Sequence, residues 1–342
     1  MPLSKTEMMD RARAALIGGA LGDAMGMPTQ LLSADQIAAR YGHVDDFVAP
    51  DADHPVSKGL EAGAITDDTE QTLLLAKVLL ASPAGFDHHA WIEALVAWED
   101  DIRRRGGYDL LGPSTKRAIE AIRNGMTPEQ AGRYGDTNGA AMRIAPVGIM
   151  SPPSSDLIAR VAETCRATHN TSIAISAASA VAMVISSGLD GMGWRDAAAK
   201  AADAARAGAD QGVWIAGGQL AARIELALDL AGKAQSREDV MRLFAILGSS
   251  VASQESVPAA FAALALADGD CWKAAVIAAN LGGDTDTIGA IACSMAGACS
   301  GMQTLPQDRI AKLRGIDLAE VDHLVEALVT ARIAASGGGG DG

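Results

Sequence analysis

The chain has 342 residues, with 42 acidic and 28 basic side chains, a net charge of −14 and a pI near 4.8. No run of basic residues interrupts that acidity, which argues against a clamp on a phosphate backbone and against nucleic acid as a main partner. Hydrophobic residues make up 49% and aromatics only 4%, while 69 alanines point to helices, because alanine favours helices and is depleted from strands.

In chain order, Met1 to Met9 holds Lys5 and Glu7 and no apolar run, so no signal peptide is expected. A helix is predicted from Lys5 to about Met25. Gly18, Gly22 and Gly26 fall four apart on one of its faces, where missing side chains let another helix approach closely. The polar, proline-containing stretch from Asp45 to Gly63 is too long for a tight turn, and loops of that kind in compact domains tend to be functional. A second helix is predicted over Ile65–Leu80, with Thr66 as its N-cap and an acidic first turn that suits the helix dipole.

Further helical patterns run over His88–Arg104, Ser114–Asn124, Ile158–Ala167, Thr171–Ser187, Trp194–Ala207 and Val213–Ala231. They continue over Ser236–Leu247, Ser256–Ala265, Cys271–Leu281, Thr287–Ala298 and Ala319–Ala335. Gly106-Gly107, Pro152-Pro153, Gly188 to Gly191, Gly248 and Gly282-Gly283 separate them. The most apolar stretch, Ile173 to Leu189, is as long as the shortest spanning helix, about 17 residues. Serines thread it at 176, 179, 186 and 187, which suits a buried helix of a soluble bundle. Cys165, Cys271, Cys293 and Cys299 have no CxxC spacing, so reduced thiols and a cytoplasmic setting are expected. No strand-like alternation and no composition shift is present. The expectation is one all-α domain over residues 1–336, with a flexible glycine-rich tail over 337–342.

Two acidic clusters carry the chemistry. Thr66-Asp67-Asp68-Thr69 and Gly283-Asp284-Thr285-Asp286-Thr287 each pack two carboxylates and flanking threonines at a helix start. A helix start needs one capping group, and adjacent aspartates repel, so a single cluster reads as a cap and a matched pair reads as a cation site. Mg²⁺ takes carboxylate and hydroxyl oxygens while keeping some waters. Four aspartates exceed what one ion needs, which points to two ions. Methionines, Trp91 and Trp98 read as packing, and His43, His54, His88, His89 and His323 read as surface residues without ligand spacing. The chain lacks GxxxxGK[ST], GxSxG and a strand-linked GxGxxG, so kinase, α/β-hydrolase and dinucleotide readings have no footing.

Gly19-Ala-Leu-Gly-Asp-Ala-Met-Gly26, Ile65-Thr-Asp-Asp-Thr-Glu70, Asn138-Gly-Ala-Ala-Met-Arg143 and Gly282-Gly-Asp-Thr-Asp-Thr-Ile288 together resemble the ADP-ribosylglycohydrolase family. That family includes hydrolases of ADP-ribosyl-arginine and ADP-ribosyl-serine and the crystallin J1 relatives. The resemblance spans about Ala14 to Ala298 in family order. It implies a large orthogonal all-α bundle with two Mg²⁺ ions, or Mn²⁺ in their place, beneath a ribose-binding cleft. By motif position the metal ligands are Thr66, Asp67 and Asp68 with Asp284, Asp286 and Thr287, and Asp67 or Asp68 serves as base toward water. Gln30, Asp136, Asn138, Gly139, Arg143 and His169 match the substrate-binding positions.

Two departures narrow the expectation. Gln30 stands where the family motif commonly ends in glutamate, which weighs against serine-linked ADP-ribose. Asp136-Thr137-Asn138-Gly139 replaces the usual Gly-Asn-Gly, and a carboxylate beside a diphosphate is unfavourable. The expected activity is magnesium-dependent hydrolysis at ribosyl C1, most simply release of ADP-ribose from a side chain or small acceptor. A small-nucleoside N-ribosidase is the nearest alternative. A two-metal phosphohydrolase and a crystallin-like structural role stand further off.

Overall fold

The computed structural model describes residues 3–82, 85–104 and 112–337. The Gly106-Gly107 break and the tail from residue 338 onward lie outside the described residues, and Gly337 closes the last helix. The first ten helices are α1 (Lys5–Gly26), α2 (Ala34–Tyr41), α3 (Asp67–Ala81), α4 (His88–Arg104), α5 (Pro113–Arg123), α6 (Pro128–Ala131), α7 (Gly139–Met142), α8 (Ala145–Met150), α9 (Ser155–Cys165) and α10 (Ser172–Leu189). Then come α11 (Trp194–Ala199), α12 (Ala201–Ala209), α13 (Leu220–Lys233), α14 (Arg237–Leu247), α15 (Ser253–Leu266), α16 (Cys271–Leu281), α17 (Thr285–Ser300), α18 (Gln307–Ile310) and α19 (Leu318–Gly337). The described residues hold isolated β-bridges but no strand, so the all-α expectation stands.

The glycine face of α1 does what its spacing implies. A Cβ on Gly18 would come 2.6 Å from the Cys293 carbonyl oxygen, one on Gly22 would strike the Gly289 backbone, and one on Gly26 would strike Thr285 and Asp286. Gly297 meets Ala14 in the same way. Rising numbers in α1 meet falling numbers in α17, so the two helices pack antiparallel with backbone on backbone. This seam places the C-terminus of α1 against the N-terminus of α17, where the second acidic cluster begins. One continuous apolar cluster surrounds it, from Ala12 on α1 to Val329 on α19.

α10 has the length and composition to cross a membrane, and 94% of that stretch is buried inside the fold. All four cysteines are buried and free. Arg332 on α19 is buried too, donating to the Gly148, Ile149 and Ser151 carbonyls and pairing with Asp190, which pins the C-terminal helix to α8 and α10.

Several boundaries differ from the expectation. α2 is an element beyond the expected helices, and Ser33-Ala-Asp-Gln36 starts it as a capping box: Ser33 accepts from Gln36 N, and Gln36 accepts from Ser33 N. The pattern over Trp194–Ala207 divides at Lys200 into α11 and α12. The pattern over Val213–Ala231 becomes helical only at Leu220, because Val213 bridges to Thr171 and Gly217-Gly218 precede the helix. His54 is buried, not a surface residue.

Candidate active site

The site is built outward from a residue that sequence reasoning passed over. Asp23 lies on α1 inside the first glycine motif and is fully buried. Its carboxylate accepts from Thr66 N at 2.9 Å, Thr66 Oγ1 at 2.8 Å, Thr69 N at 3.2 Å and Thr69 Oγ1 at 2.5 Å. Asp23 therefore caps α3 from outside and fixes the turn that carries Asp67 and Asp68. The signal was present in the sequence, since an aspartate inside an otherwise apolar, glycine-rich helix face needs partners to be buried.

The second cluster is set by equally local causes. Gly282 and Gly283 both take φ of +83°, the left-handed conformation that lets the chain leave α16 and turn at once into α17. Asp284 is the N-cap residue of α17; its backbone N–H donates to Ser249 O, and its Oδ2 accepts from Asn138 Nδ2 at 2.5 Å. Thr287 Oγ1 donates to Asp68 Oδ2 at 3.3 Å, joining the two clusters directly.

Asp67, Asp68, Asp284, Asp286 and Thr287 thus line one cavity of about 180 Å³, together with Gln30, Gln71, Asn138 and Gly139. Leu31, Val56, Pro113, Met142 and Val251 supply its apolar walls. Leu31 is exposed and holds φ of +62°, a conformation unusual for a side chain with a Cβ. It is fixed there by a hydrogen bond from its N–H to Gly283 O at 2.7 Å.

No Arg or Lys stands among the described residues that line this cavity. Burial raises Asp67, Asp68 and Asp286 well above the ordinary carboxyl value, and repulsion from their acidic neighbours adds to it. Burial pushes Asp23 and Asp284 up to about 6 against the hydrogen bonds they accept. Asp68 Oδ1 and Asp286 Oδ1 are buried without any hydrogen-bond partner. Orphaned hard oxygen donors beside free volume fit a divalent cation. Among the described residues no three His, Cys, Asp or Glu side chains form a ready-made cation cage. Mg²⁺ does not require one, since it is commonly held by one or two carboxylates plus waters.

The raised acids set a pH dependence. A carboxyl with a folded pKa above its unfolded value binds more protons when folded, so stability falls as pH rises between the two. For Asp23 and Asp284 that window runs from the ordinary 3.8 to about 6. Chelator-treated protein is expected to melt at a higher temperature at pH 5 than at pH 7.5, with added Mg²⁺ narrowing the gap. A melting temperature that climbs from pH 5 to pH 7.5 in chelator contradicts this.

Four of the expected site residues do not reach the cavity. Thr66 caps α3 as anticipated, but it is buried and its hydroxyl donates to Asp23. Asp136 is exposed, and its backbone carbonyl accepts from Ser253 N. Arg143 is buried over the Trp91 ring, donating to Gln71 Oε1 at 2.6 Å and Thr168 Oγ1 at 2.8 Å. Gln71 Nε2 in turn donates to Asp67 Oδ2 at 3.2 Å, so Arg143 supports Asp67 from behind. His169 is buried and held neutral by burial and by Arg143. Its Nδ1 faces Arg143 Nη2, and its Nε2 donates to Thr137 Oγ1 at 3.1 Å, whose hydroxyl in turn donates to Ser114 Oγ at 2.9 Å. Gly139 is small because a Cβ there would press on the His169 ring at 3.0 Å.

A family model described as ADP-ribosylglycohydrolase matches residues 4–337. The uncharacterized protein YegU of Escherichia coli is 33% identical over 329 residues, spanning 94% of this chain and 97% of its own. ADP-ribosylarginine hydrolase Tri1 of Pseudomonas putida is 28% identical across 91% of this chain and 76% of its own. A solved chain described as an ADP-ribosylglycohydrolase-related protein complex aligns with a TM-score of 0.70 at 26% identity, covering 95% of this chain and 99% of that one.

Proposed function

The chain belongs to the ADP-ribosylglycohydrolase family, and on that basis, with the paired acidic clusters, we propose that it is a magnesium-dependent hydrolase of the C1 bond of a ribosyl group. A glycosidase-type hydrolase is the class that the family carries. The observation that supports the metal-dependent reading most directly is the meeting of Asp67 and Asp68 with Asp284 and Asp286 in one cavity, with oxygens left unpaired.

Asp67, Asp68, Asp284, Asp286 and Thr287 would hold two Mg²⁺ ions, or Mn²⁺ in their place. When bound, those ions supply countercharge, grip vicinal ribose hydroxyls and acidify a water. Asp67 is the half-buried member of its pair and faces the cavity, whereas Asp68 is buried, its N–H donating to Thr66 Oγ1 and its Oδ2 accepting from Thr287 Oγ1. Asp67 is therefore the base that takes a proton from the attacking water as the C1 bond breaks through an oxocarbenium-like state, and that proton is returned to the departing group. Gln71, backed by Arg143, keeps Asp67 oriented, and Asn138 does the same for Asp284.

The cavity is smaller than the roughly 300–1,000 Å³ of pockets that enclose whole drug-sized ligands. It suits one sugar ring, with the rest of the ligand beyond Leu31, Val56 and Val251. ADP-ribose on a side chain or small acceptor is the first substrate class. No Arg or Lys stands among the described cavity walls to meet a diphosphate, which keeps a small nucleoside-like riboside as the second.

A panel of arginine-linked, serine-linked and nucleoside ribosyl compounds, each with Mg²⁺ or EDTA, tests both. Free ADP-ribose or ribose is expected with Mg²⁺ and not with EDTA. Inorganic phosphate as the product, or equal turnover in EDTA, overturns the reading.

A further inference from the structure

The 54–57 loop treats Gln30 in a way the proposed chemistry does not use. His54 Nδ1 accepts from Ser57 N at 2.8 Å and Val56 N at 3.3 Å, so that nitrogen is unprotonated. Its Nε2 therefore carries the proton and donates to the Gln30 carbonyl at 2.9 Å. Ser57 is fully buried, and its hydroxyl donates to Met27 O at 2.8 Å. That bond uses its only proton. Ser57 Oγ can offer residue 30 nothing but lone pairs, and Gln30 Nε2 donates to them at 3.0 Å. Gln30 Oε1 takes no hydrogen bond from the described residues, and Gln30 is part of the cavity wall.

Each proton in this ring has one home, so the amide has one orientation. A carboxylate at position 30 would set an oxygen against the Ser57 lone pairs, in a buried place where an unmet acceptor is costly. We propose that Ser57 and His54 are positioning residues that present Gln30 Oε1 to the cavity as a neutral, directional acceptor for a hydroxyl or N–H of the bound ribosyl ligand. The loop is thereby matched to glutamine and excludes glutamate. The substrate class this favours has a hydrogen-bond donor at that wall and needs no further negative charge from the protein. The proposal rests on the ribosyl-hydrolase reading of the same cavity.

The test is calorimetric titration of ADP-ribose with Mg²⁺ into wild type, Ser57→Ala, Ser57→Thr, Gln30→Glu and the Gln30→Glu/Ser57→Ala double variant. Loss of one neutral hydrogen bond corresponds to about 3- to 10-fold in affinity. Ser57→Ala is expected to weaken binding by that factor, and Ser57→Thr, which keeps the hydroxyl, to restore it. Gln30→Glu should weaken binding more in the wild-type background than in the Ser57→Ala background, because the opposed lone pairs are then gone. A merely structural serine would not produce that coupling. Wild-type binding with Ser57→Ala within about twofold, or with the two substitutions acting independently, overturns the positioning role and leaves the hydrolase reading intact. Failure of wild type to bind ADP-ribose or any other ribosyl compound overturns both.

Discussion

Asp286→Asn is expected to lower Mg²⁺-dependent turnover by at least about 100-fold, the upper end of what even outer-shell partners of a metal cost, while leaving the helical circular dichroism unchanged. It is also expected to raise the melting temperature in chelator. The two effects have one cause. Asp286 is buried with Oδ1 unpartnered, and it repels Asp284, Asp23 and Asp67. Removing its charge relieves the cation-free fold and deprives the cation-loaded one of a ligand. Asp67→Asn should lose turnover to a similar degree by removing the base, with a smaller gain in melting temperature because Asp67 is half-buried. Steady-state assays beside thermal melts with and without EDTA separate these outcomes. Wild-type rates in either variant would refute the site, and a calorimetric titration showing no Mg²⁺ binding below the millimolar range would remove the enzymatic reading in favour of a structural role.

Gly22→Ala is expected to be among the most damaging single substitutions outside the cavity, costing about 3 kcal/mol or more, beyond the usual range for an overpacked core. The added methyl group meets the backbone of Gly289, not a flexible side chain, so no rotamer change can make room. α1 and α17 must separate, and that movement carries Asp23 away from Asp284 and Asp286. Denaturant unfolding should show the loss in the midpoint. Gly42→Ala is the control at a glycine of positive φ with open space around it, where only backbone strain is paid. Equal destabilisation at both positions would show that the seam has slack.

The helices and the two acidic clusters were legible because each rests on a local rule. Alanine content, glycine spacing and paired Asp-Thr lettering act within a few residues of where they appear. The supports behind the site were harder to read because they join segments far apart in the chain. Arg143 looks like a substrate residue in its motif, and only its contacts at the end of α7 with Gln71 on α3 and Trp91 on α4 show that it supports Asp67 through Gln71. His54 sits in a polar, proline-containing loop, which in sequence marks a surface residue, yet it is buried by its bond to Gln30 across the fold. Asp23 was visible only as one letter of a glycine motif, and its four donors lie more than forty residues away.

Backbone contact between α1 and α17 also decides where this protein can change. Where Gly18, Gly22, Gly26, Gly289 and Gly297 meet backbone there is no side chain to enlarge, trim or rotate, so the acidic floor above those contacts has little room to shift. The wall formed by Gln30, Leu31 and Val56 is held by the side-chain hydrogen bonds of His54, Ser57 and Gln30 and by the backbone bond of the strained Leu31, and the side-chain bonds are ones that single substitutions can rewire without moving a helix. New substrate preferences, whether arising by drift or by engineering, should therefore enter through the 30–57 wall while the chemistry beneath it stays put.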